Sequence, residues 1–322
     1  MDVREGCAGF LESRRIGGAK PNTMRVHKMW FDLWQIWRGD RATAVAAVDV
    51  AELRTFMAYL RDEYEAKARN TRLEWASSGR LGAHSLRSAW RSLRALWTWL
   101  AEEGALTDGQ RTFFPKRIPC PKVEELPRPV YSQAMFDALL AAAMADPSAM
   151  TARHVAMLTL LAQSGMRASE VCGMRLSRLA AAHDAAQVRR KGGAWAWVTW
   201  GEAATVALNA WLALRPPTEH DYVFVALAPH THHAPMTYNA LRLSVERLAE
   251  RARVELPAGA SLHALRHWFA HQMLDAGVDG LHLQQMLAHT DIRTTMRYVR
   301  EHPDHLREIQ QAAIRRWKQP KG

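Results

Sequence analysis

Apolar positions along this chain recur mostly at steps of three and four, so it reads as a succession of amphipathic helices. Two such segments, MRVHKMWFDLWQIW and VAELRTFMAYLRDEYEAKA, lie between Thr23 and about Ala66 and are parted by the polar break Arg38-Gly39-Asp40. A third is clearer: Leu86, Trp90, Leu93, Trp97 and Leu100 alternate steps of four and three, and Gly104 ends the pattern. Arg87, Arg91 and Arg94 take the other faces of that helix, where they are either solvated charge or contacts to DNA phosphates. The tryptophans sit at helical spacing among leucines and are assigned to the core. Residues 1–20 show no sustained periodicity and are expected to be a flexible tail.

Beyond Phe113 the stretch FFPKRIPCPKVEELPRPVYS is too rich in proline for a regular helix and should run extended. It divides the chain into a helical domain, 21–114, a linker, 115–131, and a second domain, 132–322. In the second domain QAMFDALLAAAMA and RHVAMLTLLAQSG predict helices, the latter stopped at Ser164-Gly165. The runs AQVRRK and AWAWVTW flank Gly192-Gly193, which predicts a β-hairpin with Lys191 at its tip. YVFVAL predicts a strand, and MTYNALRLSVERLAERA, SLHALRHWFAHQMLDAG and LHLQQMLAH predict helices. Near the C-terminus Leu306, Ile309, Ala313 and Trp317 mark the apolar face of a helix over 303–318. The expected fold class is therefore mainly α with a small β-hairpin (α+β), in two domains.

Composition adds a charge constraint. With 322 residues, 48% of them hydrophobic, the chain can bury two cores, so its net charge of +11 belongs to a folded surface. That favours a polyanionic partner, nucleic acid before acidic membranes or acidic proteins. Cys7, Cys120 and Cys172 are odd in number and match no metal spacing, as in a reducing compartment. No apolar run is long enough to span a bilayer and no signal-like segment opens the chain, so a cytoplasmic protein without membrane association is expected.

Four short stretches carry the chemistry: SGMRASEVCGMR around Arg167, RRKGG around Lys191, LHALRH with His263 and Arg266, and LAHTDIRTTMRY from His289 to Tyr298. Displacing one phosphodiester oxygen by another builds charge on the non-bridging oxygens, which fixed guanidinium groups such as Arg167 and Arg266 stabilise in a dry site. A phenol ionises far more readily than a serine hydroxyl and suits Tyr298 as a nucleophile, while the departing 5′-hydroxyl needs a proton. Lys191, the only lysine between Lys122 and Lys318, is the candidate donor. His263 and Arg266, three apart, share one helix face.

In order and spacing these stretches resemble the Arg, Lys, His-x-x-Arg, His, Tyr signature of the tyrosine recombinases, or phage integrases. The resemblance spans about Ser132 to Tyr298, and the helices of Thr23 to Gly104 are similar in layout to that family's core-binding domain. It implies a two-domain clamp on duplex DNA, a catalytic set of Arg167, Lys191, His263, Arg266, His289 and Tyr298, and a 3′-phosphotyrosyl intermediate that needs neither metal nor ATP. His263 would then accept the tyrosine proton, His289 would hydrogen-bond a non-bridging oxygen, and Glu170 would orient Arg167, with His267 buttressing the site. The expected partners are double-stranded recombination sites and further copies of the chain, assembled as a tetramer that forms a Holliday junction, with the C-terminal helix docked in its own domain or passed to a neighbour. Integration, excision, resolution and inversion, and a mobile-element role, stay open. So do a type IB topoisomerase-like relaxing enzyme and a DNA-binding protein that keeps the fold without turnover.

Where relatives carry a Val-Pro-Leu-like strand after the hairpin this chain has Ala194 to Trp200, and Leu287-Ala288-His289 replaces the commoner Leu-Gly-His. The repeat His263, His267, His271 lacks the glutamate of a helical zinc motif, and the loop cluster His230, His232, His233 is assigned to solvated side chains.

Overall fold

The computed structural model describes residues 1–41, 43–65, 79–123, 130–145, 148–190, 192–257, 261–288, 295, 296 and 298. The chain divides into two compact units, Met1–Leu126 and Pro127–Gly322.

In the first unit helices α1 (Val3–Ile16), α2 (Pro21–Arg38), α3 (Val50–Asp62), α4 (Ala83–Glu102) and the single turn α5 (Asp108–Arg111) enclose one core. The stripe predicted on α4 is its inner face: Leu86, Trp90, Leu93, Trp97 and Leu100 are all buried. A fully buried leucine such as Leu93 contributes about 1.5–3 kcal/mol.

The tail expected over 1–20 is instead largely helical. Asp2 and Glu5 form a reciprocal capping box at the start of α1, and Val3, Cys7 and Phe10 enter the core, Phe10 edge-on to Phe31 at 5.5 Å. The spacing of four and three between those residues is helical, but it spans only about two turns. The linker expected from residue 115 also begins too early, because Phe113–Arg117 forms a wide turn kinked at the extended residue Phe114, and both Phe113 and Ile118 are buried in the first core. Trp90 Nε1 donates to Ile118 O at 2.9 Å, so the prolines here set a packed, non-helical path rather than a free connector.

The second unit contains α6 (Gln133–Met144), α7 (Ala149–Ser164), α8 (Ala168–Cys172), strands β1 (Ala185–Arg189) and β2 (Trp195–Thr199), then α9 (Glu202–Leu214), α10 (Tyr238–Ala252), α11 (Ser261–Asp275) and α12 (Gly280–Leu287). The strands pair antiparallel in the register Gln187↔Trp197. Gly193 N donates to Arg190 O and Arg190 N to Ala194 O, closing the turn at the tip. Lys191 itself lies outside the described residues, as do His289 and the segment 303–318.

Helix α9 was not anticipated from the sequence. It buries Ala204, Ala207, Leu208 and Trp211, a helical set whose alanines give little periodic contrast. YVFVAL, expected as a strand, is extended only through isolated bridges of Tyr222 to Arg175 and of Val225 to Pro235. Val223, Phe224 and Val225 are all fully buried there, and side chains take up three of the segment's carbonyls: Trp211 Nε1 donates to Val223 O at 2.9 Å, Arg215 Nη2 to Tyr222 O at 2.8 Å and Arg153 Nη1 to Val225 O at 2.8 Å.

Candidate active site

Ser164-Gly165-Met166-Arg167 turns the chain from α7 into α8. Gly165 caps α7 with φ 61°, and a Cβ there would lie 2.5 Å from Phe269, so the close helix contact requires glycine. Arg167 thereby becomes the N-cap of α8, and Glu170 reaches back to it. Glu170 Oε2 accepts from the Arg167 backbone N–H at 2.9 Å, and Oε1 from Arg167 Nη1 at 2.8 Å. Glu170 is 4% exposed, and a carboxylate that deep must be paired. Arg190 pairs with it as well, Nη1 to Oε2 at 2.8 Å, and Arg266 Nη1 stands 4.0 Å from the same oxygen.

Arg266 is 1% exposed and joins two helix ends: Nη1 donates to Gly165 O at 2.6 Å and Nη2 to Leu287 O at 2.5 Å. Carbonyls at helix C-termini lack intrahelical donors and carry partial negative charge, so a guanidinium suits both. Burial lowers the Arg266 pKa to about 10, with the Arg167 charge acting in the same direction and Glu170 and Tyr298 opposing it. The group is charged at neutral pH.

Leu287 is held in place by a left-handed residue, Ala288, at φ 48° and ψ 51°. This is the position where the sequence departs from Leu-Gly-His, and an L-residue there is strained by about 1 kcal/mol. Ala288→Gly is expected to raise the thermal midpoint by about 2 °C, measured by calorimetry.

Tyr298 is 3% exposed, packed with Phe269, Leu274, Leu283 and Leu287. Its ring centroid lies 5.3 Å from that of His267 and 5.9 Å from that of His271. His267 is buried and meets the exposed His263 edge to face at 4.6 Å, so two imidazole rings lead from the surface of α11 to Tyr298.

Of the residues singled out from sequence, Arg167, Glu170 and Arg266 share one cluster, and His263 and His267 line up with Tyr298. Helix α11 carries members of both groups. Arg190 was missed, although strand alternation gives it away: Ala186 and Val188 are buried, Arg189 is exposed, and Arg190 returns to the inner face at 8% exposure. In the first unit Arg87 Nε donates to Pro121 O at 3.1 Å and Arg94 lies over Trp90 at 5.4 Å, while Arg91 faces solvent. Among the described residues no three His, Cys, Asp or Glu side chains are placed to hold a metal ion, and no helix is long and apolar enough to cross a membrane.

The phage integrase family model matches residues 132–305, more than half of the chain. Tyrosine recombinase XerC of Pseudomonas fluorescens is 30% identical over 280 residues, 86% of this chain and 84% of its own length. XerC of Xylella fastidiosa strain M23 is 27% identical over 307 residues, 94% of each. Among solved structures, a lambda integrase dimer bound to a core site superposes with a TM-score of 0.69 at 14% identity, covering 92% of this chain and 95% of that one. The Tn1549 transposon integrase bound to transposon right-end DNA gives 0.69 at 17% identity, covering 92% and 94%. At such identities these structures speak for the fold, which is mostly helical with one two-stranded sheet in all described parts of this chain. With the family model and a near full-length relative in agreement, the chain belongs to the phage integrase family and is a site-specific tyrosine recombinase.

Proposed function

We propose that the chain cuts and rejoins duplex DNA through a 3′-phosphotyrosyl link to Tyr298, with the scissile phosphate bound between Arg167 and Arg266. The observation that carries this is an imbalance of charge. Among the described residues three guanidinium groups, those of Arg167, Arg190 and Arg266, surround one carboxylate, that of Glu170, so two positive charges are left over in a largely buried cluster. Buried charge demands a counter-ion, and a phosphodiester, singly negative and gaining negative charge towards a pentacoordinate transition state, supplies it.

In the reaction the Tyr298 oxygen bonds to phosphorus as the bond from phosphorus to the 5′-oxygen breaks. His263 takes the phenol proton and Lys191 gives one to the leaving oxygen, while His289 donates to a non-bridging oxygen. One phosphate ester replaces another, so no nucleotide is spent. Tyr298 is 3% exposed, so DNA binding is expected to uncover its side chain. Attack of the freed 5′-hydroxyl on a partner duplex gives a Holliday junction, and a second exchange resolves it. Four copies on two sites would do this, each clamping DNA with Arg87, Arg91 and Arg94 on the helical unit.

The test uses a nicked duplex bearing a site selected from random DNA by binding to the full chain. Accumulation of covalent adduct supports the enzyme reading, and its absence defeats it. Two differently labelled duplexes then report exchange. A four-way junction supports recombination, whereas relaxation without exchange favours a topoisomerase-like activity. Deleting 303–322, with the apolar face of Leu306, Ile309, Ala313 and Trp317, is expected to leave half-site binding intact and abolish cooperative assembly in gel-shift titrations, since that face passes to a neighbouring copy.

A further inference from the structure

The proposed phosphate clamp leaves Arg190 without a role, and its surroundings are unusual for an arginine at the end of a hairpin strand. It is 8% exposed, its only described ion pair is with Glu170, and its Nε–H is buried with no acceptor among the described residues. Glu170 meanwhile serves Arg167 twice, through the backbone N–H and through Nη1. A carboxylate paired to Arg167 alone would orient that guanidinium and would also cancel most of its charge, because the two are in contact at low exposure. Orientation without cancellation requires a second cation on the carboxylate. Arg266 stands 4.0 Å from Oε2 with its own N–H groups given to Gly165 O and Leu287 O, whereas Arg190 hydrogen-bonds Oε2 at 2.8 Å while Arg167 Nη1 keeps Oε1, so Arg190 is that cation.

We infer that Arg190 is a positioning residue that offsets the charge of Glu170, so that Arg167 is held in place by the carboxylate yet remains electropositive toward the scissile phosphate. The inference rests on the clamp reading, and the substrate for its test is chosen to separate the two. A methylphosphonate at the scissile position replaces one non-bridging oxygen by methyl and removes the charge that the clamp stabilises. The reaction is otherwise the same: the tyrosine oxygen joins phosphorus and the 5′-oxygen leaves with a proton.

Single-turnover cleavage by the full chain is compared for wild type, Arg190→Gln, Arg190→Lys and Arg167→Gln on nicked phosphodiester and methylphosphonate sites. On phosphodiester, Arg190→Gln is expected to be slower by about 10-fold or more, and on methylphosphonate to come within about 3-fold of wild type. Arg190→Lys keeps the charge and should stay within about 5-fold of wild type on both. In a Glu170→Gln background the Arg190→Gln step should change the phosphodiester rate by less than about 3-fold, since there is no longer a carboxylate charge to offset. An equal loss on both substrates, or an additive loss in the Glu170→Gln background, would mean that Arg190 only holds the hairpin, and no loss on phosphodiester would also overturn the inference. Failure of Arg167→Gln to recover on methylphosphonate would sink the clamp reading itself. If Arg190→Gln does not fold, Arg190→Lys decides: a phosphodiester loss as large as that of Arg167→Gln contradicts a role through charge.

Discussion

Tyr298→Phe is expected to abolish the covalent adduct, a loss of at least roughly 10³-fold in cleavage, with binding to the selected site unchanged. The physical case rests on how little else the substitution alters. The ring stays packed among Phe269, Leu274 and Leu287, so the apolar contacts are kept. The lost hydroxyl is expected to cost about 1 kcal/mol of stability, within reach of a calorimetric melt. Adduct formed by the phenylalanine variant at a rate near that of wild type would remove Tyr298 from the mechanism.

Arg266→Ala is expected to fail twice. Cleavage should fall by roughly 10³-fold, because a preorganised cation at the developing charge is removed. Stability should fall by about 3–5 kcal/mol, because the buried carbonyls of Gly165 and Leu287 each lose a charged donor. Arg266→Lys separates the two effects. It keeps a charge but cannot span both helix ends, so it should recover part of the stability and less than about 10% of the rate. Equal recovery of both would mean that Arg266 acts through the fold alone.

The two halves of the site differed in how readily the sequence disclosed them. His263 and Arg266 share a face of α11, so local periodicity was enough to associate them, whereas Glu170 was joined to Arg167 by the family resemblance. Their convergence was not local. Arg266 joins the ends of α7 and α12, across 101 and 21 residues of chain, through backbone carbonyls that carry no sequence signature. Arg190 was hidden by its neighbour: in the run Arg189-Arg190-Lys191 the lysine drew the chemical reading, although a period of two sends the middle residue inward with Val188. In the fold, α4 was legible because tryptophan and leucine stand out against arginine. Helices α1 and α9 were not, since small residues, Gly6 and Cys7 in the first and Ala204 and Ala207 in the second, make up half of each buried face. The segment YVFVAL misled because its apolar run satisfied burial, while side chains of Trp211, Arg215 and Arg153 replaced the strand partner that the run appeared to call for.

The central claim is a covalent one, and peptide mapping of the trapped adduct tests it most directly. Protease digestion of the complex formed on a nicked, selected site, followed by mass spectrometry, should place the nucleotide on the peptide containing Tyr298, joined through a 3′-phosphate and leaving a free 5′-hydroxyl. Attachment to any other residue, or through a 5′-phosphate, would contradict the account.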